Sequence, residues 1–161
     1  MKRIFIIILT FCCLQACKEQ ALMTSTVSAQ QIPLDDRQVS LYDGKGEAIA
    51  YIDYDNDATI FMWDGTPVAF FEKRYDDLCV FGFNGSFLGW YKDGFIYDKG
   101  GYIVGARKEA INKITKFEGM KKIQKFVPMR PITPIVTPIL VSKNSWSNTS
   151  LTEFLYAGKK S

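Results

Sequence analysis

One motif that occurs four times between residues 38 and 107 constrains the fold of this chain more than any other feature. Each copy has an apolar run, a turn in which Asp or Asn is closely followed by Gly, and a second apolar run containing a small residue. Successive copies lie about twenty residues apart, with the last one shorter, and such a period indicates an internal structural repeat. The turn residues, each preceded by an aromatic residue, are Asp43, Asp64, Asn84 and Asp98.

Each copy is predicted to form a β-hairpin. Asp-Gly and Asn-Gly adopt the positive φ angles of hairpin turns at low cost, and the β-branched and aromatic flanks favour strands. A single hairpin is at best marginally stable in water, so the four must share a core. The repeated small residues, which let backbones approach closely, are Ala50, Ala69, Gly89 and Gly105. We therefore predict a mainly β domain over residues 37–107, with four Asx-Gly hairpins in a pseudo-four-fold arrangement.

This organisation resembles the 4-fold β-flower family of bacterial proteins. The likeness rests on the four hairpin motifs, on Gly89-Trp90-Tyr91 after the third turn and on Ile103-Val104-Gly105 at the end of the fourth. A tail that closes on Ser145-Trp146-Ser147 adds to it, so that the resemblance covers residues 37–161. What the resemblance implies is a fold, and it assigns no catalytic residue.

The N-terminal segment is typical of an export signal. Lys2 and Arg3 precede an apolar run over residues 4–14, which is too short for a membrane span of ~20 residues. The run ends in Leu14-Gln15-Ala16-Cys17, which resembles the lipobox of bacterial lipoproteins. That resemblance implies cleavage before the cysteine and acylation of Cys17. The alternative is a plain secretory signal, cleaved near the same place or after Ala29.

These features assign residues 1–16 to a lipoprotein signal peptide and residues 17–36 to a polar tether. We expect an exported bacterial lipoprotein, lipid-anchored through Cys17 to the cell membrane or the outer membrane. The membrane would then be its first partner, because acyl chains contribute roughly 0.8 kcal/mol per buried CH₂ group.

Composition argues against enzymatic activity. The chain has no His, which excludes Ser-His-Asp and Cys-His catalytic units, His-ligated metals and imidazole proton transfer. Once the signal is removed and Cys17 is acylated, Cys79 is the remaining thiol, and its apolar neighbours predict a buried core residue. We expect no catalytic residue, no cofactor and no enzymatic function.

One acidic cluster is a candidate for metal binding. Asp53, Asp55 and Asp57 alternate along the chain, and their carboxylates are the hard oxygen ligands that Ca²⁺ prefers. An EF-hand loop would need Gly at its sixth position and Glu at its twelfth, where this chain has Ala58 and Asp64. We favour an acidic turn between the first two hairpins and assign no metal site.

The C-terminal third differs in charge from the rest of the chain. Residues 18–106 contain 7 basic and 14 acidic residues, whereas residues 107–161 contain 11 basic and 3 acidic residues. Apolar residues recur every third position between 107 and 126, and this pattern is interpreted as a basic segment over 108–127 that could be helical. These residues are Ile111, Ile114, Phe117, Met120 and Ile123.

Two functions are open for this basic segment. It could bind an anionic lipid or another envelope partner, protein or polyanion, through a basic amphipathic surface. Alternatively, it could pack its apolar stripe on the β-domain, with its lysines in solvent or facing the acidic half. We favour the second interpretation. Nucleic acid is not expected as a partner, because an exported protein seldom meets it.

The last segments are a proline-spaced linker and a short terminal element. Four prolines between 128 and 138 favour extended polyproline II over residues 128–144. In residues 145–161, Ser150 and Glu153 form a potential capping box and predict a short helix.

We therefore predict a non-catalytic, membrane-anchored envelope lipoprotein that acts as a structural or interaction module. The alternative is a small-ligand or glycan-binding protein, or a carboxylate-based hydrolase, of the cell envelope. A glycan site would require Trp63 or Trp90 to present an open ring face beside Asp or Asn.

Overall fold

The computed structural model describes residues 37–160, in which eight antiparallel strands close into a barrel. Each strand pairs with its neighbours in chain order, and β1 pairs with β8. The predicted mainly β fold is confirmed. The strands are β1 (Gln38–Tyr42), β2 (Ala48–Asp53), β3 (Thr59–Met62), β4 (Pro67–Arg74), β5 (Asp77–Gly82), β6 (Phe87–Lys92), β7 (Phe95–Asp98) and β8 (Ile103–Arg107).

Four hairpins with the same register make up the barrel. In each, a buried aliphatic residue of the first strand pairs with the small residue of the second strand, and a β-bulge follows immediately. A Cβ atom at Gly89 would lie 1.9 Å from the carbonyl oxygen of Tyr97, so this position requires close backbone approach. The equivalent pairs are Leu41–Ala50, Ile60–Ala69, Val80–Gly89 and Ile96–Gly105.

The residue that occupies the same position in all four hairpin turns is a glycine, not the Asx residue. Gly46, Gly65, Gly85 and Gly101 have positive φ, and each donates its N–H to the carbonyl three residues earlier. Asp43 and Asp98 therefore begin their turns, whereas Asp64 and Asn84 lie two residues later. The predicted equivalence of the four Asx residues is wrong. An Asx side chain accepts the N–H two residues ahead from either position, as in Asx turns.

Aliphatic side chains fill the barrel interior, and a C-terminal helix packs onto it. Helix α1 (Leu151–Tyr156) is the predicted short helix, and its Ser150 cap accepts the N–H of Glu153 at 3.1 Å. Leu151, Phe154 and Leu155 join the same buried cluster as the inward-facing strand residues. An eight-stranded barrel is just wide enough for side chains, so the helix completes this core.

Residues 111–149 lie in a long extended segment outside the barrel, which we call the strap. Lys108–Ala110, immediately before the strap, forms one 3-10 turn. No α-helix forms within residues 107–126, so the helix predicted there is wrong. The apolar period of three is that of an extended polyproline II-type ribbon, not the 3.6-residue period of an α-helix. Along most of the strap, side-chain burial also recurs every third residue.

The strap passes the four hairpin turns in order. The backbone N–H groups of Lys116, Lys125 and Lys143 donate to Gly46, Gly65 and Gly101, each at 2.8 Å. Residue 134, at the matching position for the third hairpin, is a proline and has no N–H to donate. At the end of this path, Trp146 lies on Gly44 of the first hairpin, 5.8 Å from the ammonium of Lys113. The strap therefore encircles the barrel with a nine-residue repeat that matches the hairpins.

Candidate functional site

Asp53, the first residue of the acidic cluster, is a buried hydrogen-bond hub. Its carboxylate accepts bonds from the backbone N–H of Asp55 at 3.0 Å and from the side chain of Asn56 at 3.0 Å. It also accepts bonds from Gln38 on β1, at 3.1 Å, and from Gln124 on the strap. Burial acts to raise the pKa of Asp53, but the side-chain hydrogen bonds outweigh it and hold the pKa below its usual value.

The other two aspartates of the cluster contact different residues. Asp55 forms an ion pair with Arg37 at 3.6 Å, and Asp57 lies at positive φ with its carbonyl bonded to Arg130. Within residues 37–160, no group of three or more acidic, Cys or His side chains is arranged to hold a metal ion. The cluster therefore joins β1, the β2–β3 turn and the strap.

The cysteines offer no reactive thiol in the described part of the chain. Cys79 is fully buried in a cluster of mainly aromatic side chains that is separate from the aliphatic core of the barrel. Its sulfur lies 3.9 Å from the hydroxyl of Thr137 on the strap. Burial raises the pKa of this thiol, which favours the protonated and unreactive form. Cys17 lies outside the described residues.

The tryptophan rings are in contact with the strap or the core. Trp90 is 2% exposed, and Trp63 donates its indole N–H to the carbonyl of Gly119 at 3.2 Å. The ammonium of Lys121 lies 5.4 Å from the Trp63 ring and 4.5 Å from the ring of Tyr51. Trp90 therefore has no open face for stacking on a sugar, whereas Trp63 is half-buried under the strap.

One side of the strap faces the barrel, and between residues 115 and 124 this side is polar. Glu118 accepts a hydrogen bond from the hydroxyl of Tyr42, and Thr133 donates to Glu72 at 2.7 Å. Burial, together with the hydrogen bond to Glu118 and its charge, raises the pKa of Tyr42 to about 12. Partly or fully buried residues of the strap include the polar Thr115, Glu118, Lys121, Gln124, Thr133 and Thr137 and the apolar Val127 and Leu140.

Basic residues of the strap contact the acidic hairpins. Lys116 forms an ion pair with Glu47, and Lys125 reaches Asp64 at 3.4 Å in the next hairpin turn. The hydrogen bond between Lys116 and Glu47 raises the pKa of the lysine and lowers that of the glutamate. The opposite charges of the two parts of the chain thus meet within the molecule.

The apolar side of the strap faces solvent. Its side chains recur every third residue and range in exposure from 78% at Ile135 to 100% at Ile132. The predicted packing of Ile114, Phe117, Met120 and Ile123 on the β-domain is therefore wrong, because the polar side of the ribbon occupies that contact. Ile111, the first residue of the predicted stripe, is half-buried. We call these exposed residues the outer stripe: Ile114, Phe117, Met120, Ile123, Phe126, Met129, Ile132 and Ile135.

The outer stripe is the most distinctive surface of the described chain. Single exposed apolar residues are common on protein surfaces, but a regular row of eight is an exposed apolar surface of the kind that marks contact sites for proteins or membranes. Sequence reasoning identified the three-residue period but assigned it to a helix. The nine-residue recurrence of Ile114, Ile123 and Ile132, opposite successive hairpins, was the signal that could have shown an extended strap.

A polar cavity lies beside the seam of the barrel. Strands β1 and β8 pair only through Leu41–Arg107 and Tyr42–Ala106, and a cavity of about 200 Å³ lies next to this short ladder. The cavity is smaller than the ~300–1,000 Å³ usual for ligand pockets. The charged and phenolic residues of its lining are Tyr42, Arg107, Lys108, Glu109, Glu118 and Lys121.

None of the helices within residues 37–160 is long and apolar enough to span a membrane.

Comparison with known proteins bears on the family of this chain. Neither the curated proteins nor the solved structures include a significant match to this chain. Residues 39–155, most of the chain and nearly all of its described part, match the family described as 4-fold beta flower protein. The chain therefore belongs to the 4-fold β-flower family.

Proposed function

We propose that this protein is a non-catalytic, lipid-anchored lipoprotein of a bacterial cell envelope that acts as an interaction module. The observation that carries the proposal is the outer stripe of eight large apolar side chains turned to solvent. Exposing such a surface opposes solubility, so a chain that keeps it in a fixed arrangement must gain from what covers it.

The strap holds the outer stripe in a fixed position. Backbone bonds to three hairpin turns and the Asp53–Gln124 bond fasten the opposite side of the same ribbon. Arg74 bonds both Thr133 on the strap and Glu72 on the barrel, which adds a third kind of attachment. Preorganisation of this kind reduces the entropic cost of association.

Three buried or half-buried groups of the described chain that catalysis could use, Asp53, Glu118 and Cys79, are engaged in structural contacts. Asp53 has four hydrogen-bond donors, Glu118 is bonded to Tyr42, and Cys79 is buried. A general base needs a free lone pair within reach of a substrate, and a nucleophilic thiol needs access. These arrangements support a module whose function is contact rather than chemistry.

Anchoring is tested at Cys17. In cells, Cys17→Ser should move the protein from the membrane fraction to the soluble fraction and remove the acyl mass from the N-terminal peptide. Cys13→Ser is a matched control, because Cys13 lies in the segment expected to be cleaved away. A Cys17→Ser protein that stays in the membrane fraction would refute the acyl anchor.

A second candidate function is the binding of a small polar ligand in the cavity beside the seam. The observation that favours it is the convergence of Arg107, Lys121, Glu109 and Glu118 on one concave site. A thermal-shift screen with monosaccharides and small organic acids tests this function. A ligand that raises Tm for the native chain but not for Lys121→Met would support it, and equal shifts in both would exclude this cavity.

A further inference from the structure

We propose that one arc of the outer stripe, residues 114–126, rests on the bilayer to which the chain is anchored. This inference deepens the proposed function and rests on the acyl anchor at Cys17. It assigns the lipid surface as the occupant of this arc, which we call the near arc. Residues 132–139 form the far arc, with exposed Ile132, Ile135, Val136 and Ile139.

The first argument is the position at which the anchored chain reaches the barrel. The described chain begins at Arg37, and Gln38 accepts a hydrogen bond from the ammonium of Lys121 at 3.2 Å. Gln38 and Gln124 also donate to the same carboxylate, that of Asp53. The start of β1 is therefore bonded to the strap between Met120 and Ile123, two residues of the near arc.

The second argument is reach. The 19 residues from 18 to 36 separate Cys17 from Arg37. Fully extended, they span at most about 65 Å, and shorter paths bring the barrel closer to the lipid. An acyl anchor thus keeps the near arc at high effective concentration beside a bilayer. The chain reaches the barrel on that side, so a short tether path places the near arc closer to the lipid than the far arc.

The third argument is chemical. Lysines lie beside the apolar residues of the near arc, and this combination suits the boundary between acyl chains and anionic headgroups. Lys116 and Lys125 pair with carboxylates, yet their side chains are still 60% and 59% exposed. The far arc has Pro134 and Pro138 among its apolar residues instead of lysines.

The far arc supplies a matched control because it lies on the other side of the barrel. Ile132 is beside Gly85 in the third hairpin, whereas the near arc begins at Gly46 in the first. In a closed ring of eight strands, β5 is four strands from β1 in either direction. Phe117 and Ile132 are almost equally exposed, at 98% and 100%, so the two labelled positions differ in their place along the strap and not in burial.

The test uses the acylated full chain in vesicles of phosphatidylethanolamine and phosphatidylglycerol that contain spin-labelled lipid. An environment-sensitive fluorophore is attached to Phe117→Cys in one sample and to Ile132→Cys in another. The parent chain shows that buried Cys79 takes up no label. We expect the spin label to quench the fluorophore at 117 at least threefold more strongly than at 132.

Each other outcome overturns the inference. Equal quenching at both positions, no quenching at either, or stronger quenching at 132 would exclude the near arc as the lipid contact. A blue shift at 117 that depends on protein concentration and is insensitive to the spin label would identify a second copy of the chain as the occupant.

The mass of the peptide that contains Cys17 distinguishes failure of the proposed acyl anchor from failure of the proposed lipid contact. If Cys17 isolated from cells carries no acyl chains, the proposed anchoring falls on that measurement alone. The lipid contact is then decided by sedimentation of the Cys17→Ser chain with the same vesicles. A bound fraction that falls at least threefold on Phe117→Ser and stays unchanged on Ile132→Ser supports it. Absence of binding by the parent, or equal loss in both variants, overturns it.

Discussion

Gln124 on the strap donates a hydrogen bond to the Asp53 carboxylate at the end of β2, 71 residues earlier in the chain. The same carboxylate binds Gln38 at the start of β1 and two groups of the turn that follows β2. One side chain therefore joins the first strand, the first link between hairpins and the encircling strap.

Replacement of Asp53 by Asn should destabilise the protein by about 2–3 kcal/mol, because hydrogen bonds to a buried charged acceptor are lost or inverted. The free energy of unfolding is measured by urea denaturation. Asp55→Asn is the control, since Asp55 makes an exposed ion pair worth ~0–1 kcal/mol. Equal losses in the two variants would contradict the role of Asp53 as a hub.

The same carboxylate should produce acid sensitivity. The pKa of Asp53 is lowered in the folded protein, so its contribution is fully present above the unfolded pKa of ~3.9. That contribution is lost as the pH falls from there through the lower folded pKa. Stability of the native chain should therefore decrease more steeply below about pH 4 than that of Asp53→Asn. Parallel curves for the two proteins would contradict this prediction.

Gly65→Ala should detach the strap at the second hairpin. Gly65 has a φ of +79°, and an added Cβ would lie 2.1 Å from the carbonyl oxygen of Ile123. We expect a loss of about 1–3 kcal/mol, as for other forced overpacking. Faster hydrogen exchange at the N–H of Lys125, which donates to Gly65, is the local measurement.

Gly119→Ala provides the matched control for the strap. Its added Cβ would find no atom closer than the indole nitrogen of Trp63, at 3.8 Å, and its φ is not in the left-handed region. This variant should be neutral within about 0.5 kcal/mol. If Gly65→Ala is equally neutral, the strap is not held at the hairpin turn.

Much of the barrel could be predicted from the sequence, whereas the extended form and the orientation of the strap could not. The hairpins follow from local chemistry, since turn residues and small residues such as Ala50 act on their own neighbours. The orientation of Phe117 depends on which side of the ribbon finds partners on a surface built by distant residues. Asp43 and Asp64 were misaligned because an Asx side chain forms the same local bond at two turn positions.

The candidate site was also only partly predictable. The charge opposition between the two parts of the chain anticipated contacts such as Lys116–Glu47. The recurrence of apolar residues every third position was visible in the sequence. Such a period alone does not indicate whether the apolar side is buried or exposed. The barrel surface determines which side is buried, because Glu118 and Gln124 have polar partners there.

Leu151→Ala should reduce stability by about 2–5 kcal/mol, because a large buried side chain is removed from a filled interior. Leu151 is 1% exposed and packs on Gly105 of β8, where α1 meets the barrel. Thermal unfolding measures the loss. Tyr156→Ala, at a position 40% exposed on the same helix, should cost far less. Comparable losses would show that α1 does not contribute to the core.

Tyr42→Phe tests the contact between β1 and Glu118 on the strap. The pKa of Tyr42 is raised to about 12 in the folded protein, so its contribution is fully present below the ordinary pKa of ~10. That contribution is lost as the pH rises from ~10 towards the folded value. At neutral pH the variant should lose about 1–3 kcal/mol with its hydrogen bond. Above pH ~10 the native chain should lose stability faster than the variant.

The control for this alkaline effect is Tyr75→Phe, since Tyr75 is 79% exposed. Its denaturation midpoint should follow that of the native chain across the whole pH range. The titration of tyrosinate absorbance should also lose its highest-pH step in Tyr42→Phe and keep it in Tyr75→Phe. Because Glu118 is the acceptor of the Tyr42 hydroxyl, Glu118→Gln should shift that step towards lower pH. An unchanged step in Glu118→Gln would mean that the strap does not set the ionisation of Tyr42.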